Sequence, residues 1–282
     1  MPELPEVECL TKSIRSVATG GKISKLKFYR KDLREPIPIK EFKAVIKGER
    51  IVEIGRRSKY MLMHTAKGTG IFHLGMSGNI LYYDTNRPQH LHTHAIFKLD
   101  LPDADKSGYL HFVDPRRFGN IGCHTGSDWQ SHRYFSQLGP EPLEHKGLGE
   151  HLFINSRGRT VSIKSFIMNA HIVVGVGNIY ANEALYKSKI NPFARAGSLG
   201  QSEYRVLARK IRDTLKKAIA QGGTTLKDFK NHKGEPGYFK VALQAYGRAG
   251  KTCNICREYI VEERQSGRAT FYCPACQPTS PR

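Results

Sequence analysis

The sequence lacks a membrane-spanning segment and a secretory signal. No apolar run in its 282 residues approaches the ~20 residues that cross a bilayer, and the mean hydropathy is −0.47. The first ten residues contain three glutamates, whereas a secretory signal begins with basic and then apolar residues. We therefore expect a cytoplasmic protein that has no membrane partner.

Acidic residues are also scarce, with 25 Asp and Glu against 45 Lys and Arg, a net charge of +20. Residues 1–150 hold 23 basic and 17 acidic residues, a net charge of +6, and residues 151–282 hold 22 and 8, a net charge of +14. Clustered Lys and Arg release counterions when they neutralise phosphates, so the excess indicates a polyanionic partner. A basic surface that only confers solubility would give the same count.

Cysteines are few, but four of the six form a pattern: Cys253, Cys256, Cys273 and Cys276. The two CxxC pairs are sixteen residues apart, which is a zinc-ribbon spacing, and the residues between them favour a β-hairpin. Two disulfides are the alternative, which a reducing cytosol disfavours. Four thiolates complete a tetrahedron, so we expect one structural Zn²⁺. Cys9 and Cys123 are isolated and are interpreted as ordinary buried or half-buried thiols.

Hydrophobic periodicity divides the chain into two parts. Residues 5–18 have helical spacing of apolar residues, and short β-type runs separated by turn residues follow as far as Cys123. The predicted strands are 23–29, 60–64, 70–83, 95–99, 108–113 and 118–123. After a Gly- and Pro-rich segment at 137–150, helices are predicted at 160–170, 179–189 and 203–220. The pattern indicates an α+β protein with an antiparallel sandwich or barrel.

Residues 173–181 resemble a dinucleotide-binding turn, because an apolar run is followed by GxGxxA. No βαβ unit follows, and no acidic residue stands where such a site requires one. We therefore expect no organic cofactor. The preferred interpretation is a tight turn between two helices, whose glycines let backbone N–H groups approach a DNA phosphate.

The N-terminus offers a nucleophile. If Met1 is removed, Pro2 becomes a secondary amine, and an α-amine titrates near ~7.7–8.0, so it is partly unprotonated at neutral pH. Such an amine can form an iminium with a sugar carbon. Glu3 and Glu6 supply carboxylates that could move protons. The alternative is ordinary helix capping, because Pro and acidic residues are common in the first turn.

Eight motifs occur together in one order along the chain. They are PELPEVE at the N-terminus, RRSKY at 56–60, HLGMSG at 73–78, DPRRFG at 114–119, LGPEP at 138–142, VGVGNIYANEAL at 174–185, GGTTLKDF at 222–229 and RATFYCPAC at 268–276. Together they closely resemble the bacterial formamidopyrimidine-DNA glycosylase (Fpg/MutM) family over essentially the whole chain. The sister branch, endonuclease VIII, typically begins PEGPE, and Leu4 favours the purine-lesion branch.

The resemblance implies a fold with an N-terminal helix plus an antiparallel β-sandwich, then a helical domain with a helix-two-turn-helix, and a C-terminal zinc-ribbon hairpin. We expect a catalytic domain at 1–136, a linker at 137–150, a DNA-binding helical domain at 151–246 and a zinc finger at 247–282. The expected assembly is a monomer. A lesion-capping loop is expected near residues 222–238.

The resemblance also implies a bifunctional DNA glycosylase/AP lyase that excises oxidised purines, such as 8-oxoguanine and formamidopyrimidines, in base excision repair. Pro2 would attack the anomeric carbon and form a Schiff base, and β,δ-elimination would follow. Glu3 would donate and accept protons for ring opening. Lys59 would be the general acid/base of β-elimination, and Arg268 would support δ-elimination while binding phosphate.

The expected partner is double-stranded DNA that contains damaged bases. The resemblance assigns Met76, Arg116 and Phe118 to filling the void that an evicted nucleotide leaves, although strand packing would equally explain Met76 and Phe118. The expected DNA-binding residues are Met76, His92, Arg116, Phe118, Arg159, Lys164 and Asn178. Two alternatives stay open: an endonuclease VIII-like glycosylase for oxidised pyrimidines, and a non-catalytic zinc-finger protein that binds damage.

Overall fold

The computed structural model describes residues 2–103, 106–222 and 243–279. The chain divides into two compact units, with a boundary between Gln137 and Leu138. Most of the expected lesion-capping loop at 222–238 lies outside the described residues. No helix of the described ranges has both the length and the apolar character to cross a membrane.

The first unit begins with α1 (Leu4–Ala18), followed by β1 (Lys22–Phe28) and α2 (Ile39–Ile46). Helix α1 starts where Pro5 fixes a helical φ, and it buries an apolar face at helical spacing. The remaining strands are β2 (Glu53–Arg57), β3 (Tyr60–Thr65), β4 (Gly68–His73), β5 (Asn79–Tyr83), β6 (Thr93–Asp100), β7 (Ser107–Val113) and β8 (Asn120–Thr125).

These strands form two antiparallel four-stranded sheets, in the orders β1-β6-β7-β5 and β2-β3-β4-β8. Side chains from both sheets and from α1 and α2 build one apolar core, including Ile14, Phe42, Phe72 and Phe97. The prediction of an α+β protein with an antiparallel sandwich is confirmed.

Two details of the strand prediction were wrong. The run at 70–83 is two strands, because Gly75 adopts a φ of 61° and the chain turns there. Helix α2 and strand β2 were missed, because they are only eight and five residues long and periodicity is weak over so few positions.

The second unit contains α3 (Leu148–Ser156), α4 (Ile163–Ile167), α5 (Asn178–Ser188) and α6 (Gln201–Ala220), and then the hairpin β9 (Val261–Gln265) and β10 (Arg268–Tyr272). Helix α6 packs against α3 and α5. Helices α4 and α5 are joined by consecutive turns at 168–177, which gives the helix-two-turn-helix arrangement.

The segment predicted as a linker is packed into this second unit. Gly139 N donates to Ala170 O at 2.8 Å, and Arg212 Nε donates to Pro142 O at 2.9 Å. A Cβ at residue 139 would lie 2.6 Å from the carbonyl carbon of Ile172. Glycine at this position therefore permits close packing.

Candidate functional site

The N-terminal residues expected to be catalytic lie together at the start of α1. Pro2 is buried, and Glu3 and Glu6 are 2% and 0% exposed. Glu3 N donates to the Glu6 carboxylate at 2.8 Å, so Glu6 satisfies a backbone donor that the helix leaves unpaired. The chain start is therefore held against the fold, with the Glu3 carboxyl group next to Pro2 in sequence.

Lys59 lies in the two-residue turn between β2 and β3, where Arg57 pairs with Tyr60. Ser58, the first turn residue, has a φ of 56°, as primed hairpin turns require. Arg56 ties this turn to α1, because its guanidinium donates to the Glu8 carboxylate at 2.7 Å and to Ser58 O at 2.9 Å. The elements that carry Glu3 and Lys59 are thus joined by a salt bridge with only 5% of the Arg56 side chain exposed.

His73 is a site residue that the sequence reasoning missed. It pairs with Tyr60 across the β3–β4 ladder, and the two ring centres are 4.8 Å apart. Burial, reinforced by the positive charges of Lys59 and Arg34, lowers the pKa of His73 to about 4. Its Nδ1 accepts the Gly75 N–H at 3.1 Å, so the neutral ring has its proton on Nε2. Its place in the motif HLGMSG was the available signal.

The structure brings Met76, Arg116 and Phe118 together on two adjoining loops. Met76 and Phe118 are 37% and 44% exposed, so strand packing does not account for them. The Arg116 guanidinium lies 5.1 Å from the centre of the Phe118 ring. The loops touch so closely that a Cβ at Gly75 would be 2.3 Å from the Phe118 carbonyl carbon. This exposed group of side chains is suited to entering a nucleic-acid stack.

Asp114 holds both loops. The sequence analysis gave this residue no role of its own, because it entered only as part of the motif DPRRFG. Its carboxylate is fully buried and accepts hydrogen bonds from Ser77 Oγ and Gly119 N, each at 2.7 Å. Ser77 Oγ in turn accepts the Arg116 N–H at 3.2 Å. Asp114 N donates to His92 O at 3.0 Å. One buried carboxylate thereby fixes the backbone around three expected DNA contacts.

In the second unit, Asn178 and Arg268 also lie together. Asn178 is the first residue of α5, and its side-chain amide donates to Ala269 O at 3.0 Å. Arg268 precedes Ala269 at the tight turn of the β9–β10 hairpin, where its side chain is exposed. The hairpin tip is therefore fixed beside the N-terminus of α5, whose partial positive charge favours anions.

Lys164, which the sequence analysis expected to contact DNA directly, is buried in the structure. Its side chain is 2% exposed, and its ammonium donates to Ala269 O at 2.9 Å and Thr270 Oγ1 at 2.7 Å. Lys164 thus holds the hairpin that carries Arg268. Arg159 is exposed, and its Nε donates to Asn155 O at 2.7 Å.

The four cysteines converge on one point. Their sulfur atoms all lie within 4.8 Å of one another, with Cys253 and Cys276 3.8 Å apart and Cys256 and Cys273 3.5 Å apart. Sulfurs bound tetrahedrally at about 2.3 Å from zinc are separated by about 3.8 Å, so the set fits Zn²⁺. Backbone N–H groups of Ile255 and Cys276 point at Sγ atoms, as expected around thiolate ligands.

Buried hydrogen bonds hold the segments around the four cysteines in place. Gln277 is fully buried and accepts the Cys273 N–H at 3.0 Å, while its amide donates to Ile190 O at 2.7 Å. Glu183 on α5 is 1% exposed and accepts the N–H groups of Gln244, Ala245 and Tyr246. These bonds attach the segment just before the finger to α5, and the end of the finger to Ile190, two residues beyond α5. Among the described residues, the four cysteine sulfurs supply all four ligands of a tetrahedral site, which supports a structural metal.

The fold and the four-cysteine site together define a zinc-finger protein of the helix-two-turn-helix type. Family models match at residues 1–121 (formamidopyrimidine-DNA glycosylase N-terminal domain), 138–230 (formamidopyrimidine-DNA glycosylase H2TH domain) and 250–279 (zinc finger found in FPG and IleRS). The chain therefore belongs to the formamidopyrimidine-DNA glycosylase family, as the motifs indicate.

Individual relatives match over nearly the whole chain. The formamidopyrimidine-DNA glycosylase of Marinomonas sp. (strain MWYL1) is 44% identical, with 98% of this chain and 100% of the relative covered. Among solved structures, MutM (Fpg) from Thermus thermophilus is 32% identical, with a TM-score of 0.84 and coverage of 99% and 100%. Lactococcus lactis Fpg with abasic-site DNA is 30% identical, with a TM-score of 0.85 and coverage of 98% and 99%.

Proposed function

We propose that the protein is a bifunctional DNA glycosylase/AP lyase that removes oxidised purines from double-stranded DNA in base excision repair. The observation that carries this is the link between two elements: α1, which begins beside Pro2 and the buried Glu3, is joined by the Glu8–Arg56 salt bridge to the turn that presents Lys59. Relatives support the substrate class, because MutM was solved with DNA that contains carbocyclic 8-oxo-G and L. lactis Fpg with Fapy-dG DNA.

In the proposed reaction, the unprotonated Pro2 amine attacks C1′ of the damaged nucleoside. The N–C1′ bond to the base breaks and its electron pair leaves with the base, which takes up the proton that the Pro2 nitrogen loses. The deoxyribose ring opens as Glu3 delivers a proton to the ring oxygen. The product is an iminium between Pro2 and C1′. Glu6 holds the Glu3 backbone at 2.8 Å, so its role is to position the catalytic residues.

Elimination then cleaves the strand. Removal of a C2′ proton, assisted by Lys59, expels the 3′ phosphate, and a second proton loss at C4′ expels the 5′ phosphate. Arg268 is exposed at its hairpin tip, where its guanidinium can bind a leaving phosphate in a bidentate manner. The iminium is finally hydrolysed, which returns the free amine.

Each unit would contribute residues that contact DNA. Met76, Arg116 and Phe118 would occupy the gap left by the extruded nucleotide, and His92, Arg159, Asn178 and Arg268 would contact the backbone. Lys164 would act indirectly, by holding the hairpin. We further propose one structural Zn²⁺ per chain, no organic cofactor, a monomeric protein and a cytoplasmic location.

Borohydride trapping tests the nucleophile. Protein mixed with an 8-oxoguanine:cytosine duplex and borohydride should form a covalent complex, and Pro2→Gly should trap at least tenfold less. Pro36→Gly, an exposed proline of the same unit, is the matched control and should trap normally. Intact mass must show that Met1 is absent. Equal trapping by Pro2→Gly and wild type would contradict the assignment of Pro2 as the nucleophile.

Two substrates separate the remaining possibilities. An abasic duplex should be nicked on both sides of the lost sugar, and Lys59→Met should slow this by about 10²–10⁴-fold, the usual contribution of a general acid or base. Lys67→Met, an exposed lysine, should not. Faster cleavage of thymine glycol than of 8-oxoguanine would favour the endonuclease VIII-like alternative, and absence of any cleavage would favour a damage-binding protein.

A further inference from the structure

A groove on the outer face of the first unit carries lysines and tyrosines that the proposed reaction does not use. Its volume is about 720 Å³, and strands β1, β6 and β7 with the end of α2 form it. The groove lysines are Lys25, Lys27, Lys47 and Lys98, and the groove tyrosines are Tyr29 and Tyr109. Among the described residues that line this groove, none is acidic.

Strand geometry sets these side chains on one face. Leu26 and Phe28 pack against the core, so the alternating Lys25 and Lys27 point away from it. Lys25 lies directly opposite Lys98 on β6, and Lys98 lies opposite Tyr109 on β7. The lysines of β1 and β6 therefore form a charged band across two adjacent strands, and Tyr109 on β7 lies beside it.

This arrangement is unfavourable for the isolated fold. Like charges directly opposite each other destabilise a sheet, and Lys25 with Lys98 is such a pair. Asp100 approaches the Lys98 ammonium at 3.5 Å, which offsets one of the four charges. Lysines on an edge strand can serve to prevent aggregation, and β1 is an edge strand. That explanation does not extend to Lys47 or Lys98, which lie elsewhere.

The tyrosines indicate what kind of polyanion the band fits. The Lys27 ammonium lies 4.6 Å from the centre of the Tyr29 ring, and Tyr109 borders the same groove. Grooves that bind single-stranded nucleic acid combine positive charge along the backbone with aromatic rings on which unpaired bases stack. In a duplex the bases are already stacked inside the helix, so no unpaired base is free to stack on these rings.

We propose that this groove binds a segment of single-stranded DNA at a site separate from the lesion site. Lys98 is six residues along the chain from His92, about 20 Å at the usual rise per residue of a strand. The groove can therefore be occupied while the loops that carry His92 and Arg116 engage a duplex. A strand held there would keep the enzyme near unpaired DNA between excision events.

Fluorescence anisotropy of labelled dT12 tests the groove, with the protein first saturated by an unlabelled duplex that contains a tetrahydrofuran abasic analogue. The test variant is Lys25→Glu/Lys27→Glu/Lys98→Glu. The control is Lys40→Glu/Lys43→Glu/Lys67→Glu, which changes exposed lysines of the same unit and alters the net charge equally. The equal charge change removes the general long-range contribution from the comparison.

We expect the test variant to bind dT12 at least tenfold more weakly, and the control within threefold of wild type. The slope of log K against log salt should fall by about 2 in the test variant, since each single-strand phosphate contact contributes about 0.7. Tyr109→Ala should weaken dT12 binding without changing that slope.

Equal losses in the two triple variants, or absence of dT12 binding by the duplex-saturated wild type, would overturn the proposal. So would a 12-base-pair duplex that competes as well as unlabelled dT12. Cleavage of the 8-oxoguanine duplex is measured on the same protein preparations without the tetrahydrofuran duplex, and it should be unchanged in the test variant. Loss of cleavage in every sample would contradict the proposed function and would leave the groove result intact.

Discussion

Replacing Asp114 with asparagine should loosen the two loops that carry Met76, Arg116 and Phe118. The Asp114 carboxylate is fully buried and accepts two short hydrogen bonds, from Ser77 Oγ and Gly119 N. An asparagine amide has one acceptor oxygen and presents an NH₂ group where the second acceptor stood. One charge-assisted hydrogen bond is therefore lost.

A hydrogen bond to a charged group contributes about 1.5–3 kcal/mol. With a urea m-value of about 2 kcal/mol per molar, Asp114→Asn should lower the unfolding midpoint by about 1 M. The sequence contains one tryptophan, Trp129, which lies in the first unit and packs against Phe135 at 5.3 Å. Its fluorescence therefore reports the unfolding of the unit that contains Asp114.

Asp103→Asn is the matched control, because the Asp103 side chain is 74% exposed and pairs with Lys106, which is 69% exposed. This control should shift the midpoint by less than about 0.3 M, as exposed pairs contribute little. Asp114→Asn should also weaken binding to a lesion duplex more than binding to an undamaged one, since the displaced loops carry the side chains that we propose fill the gap. A midpoint equal to that of Asp103→Asn would refute the role assigned to the buried carboxylate.

Three further predictions concern the metal, the pH dependence and the hairpin. Metal analysis should find one zinc per chain, and Cys256→Ser should lose the metal and bind DNA at least tenfold more weakly, whereas Cys123→Ser should keep both. Burial lowers the pKa of His111 from 6.5 to about 4, so on acidification the unfolded chain takes up a proton at His111 before the folded protein does. The free energy of unfolding therefore has its full His111 contribution above pH 6.5 and falls by up to about 3 kcal/mol as the pH is lowered towards 4. Urea titrations followed by Trp129 should show this loss, and His111→Phe should reduce it; an unchanged pH profile in that variant would contradict the assignment. Lys164→Met removes the ammonium that holds Ala269 O and Thr270 Oγ1, so amide hydrogen exchange in β10 should accelerate at least tenfold, while Lys216→Met on the exposed face of α6 should leave it unchanged.

Local sequence patterns were sufficient for the long elements of the fold. Helix α1, helix α6 and most strands followed from periods of 3.6 and 2, because each buries one continuous apolar face. Short elements were missed where that signal is weak, and the break between β4 and β5 was missed because apolar residues continue through it. The close packing of the segment after Gln137 does not follow from its sequence, since glycine suits either a free chain or a close contact, and only the neighbouring Ile172 backbone distinguishes them.

The sequence by itself determined the family, and it predicted the four zinc ligands and the proposed reactive residues at the N-terminus, because these depend on residue type and spacing along the chain. Only the tertiary structure decided how those residues are held. Arg56 links Glu8 to the Lys59 turn, Asp114 joins two loops, and Lys164, expected to bind DNA, is buried beneath the hairpin. The cross-strand pair Lys25 and Lys98 is separated by more than seventy residues in sequence. Such contacts depend on sheet register and on burial, which the packing of distant segments creates and which no local pattern records.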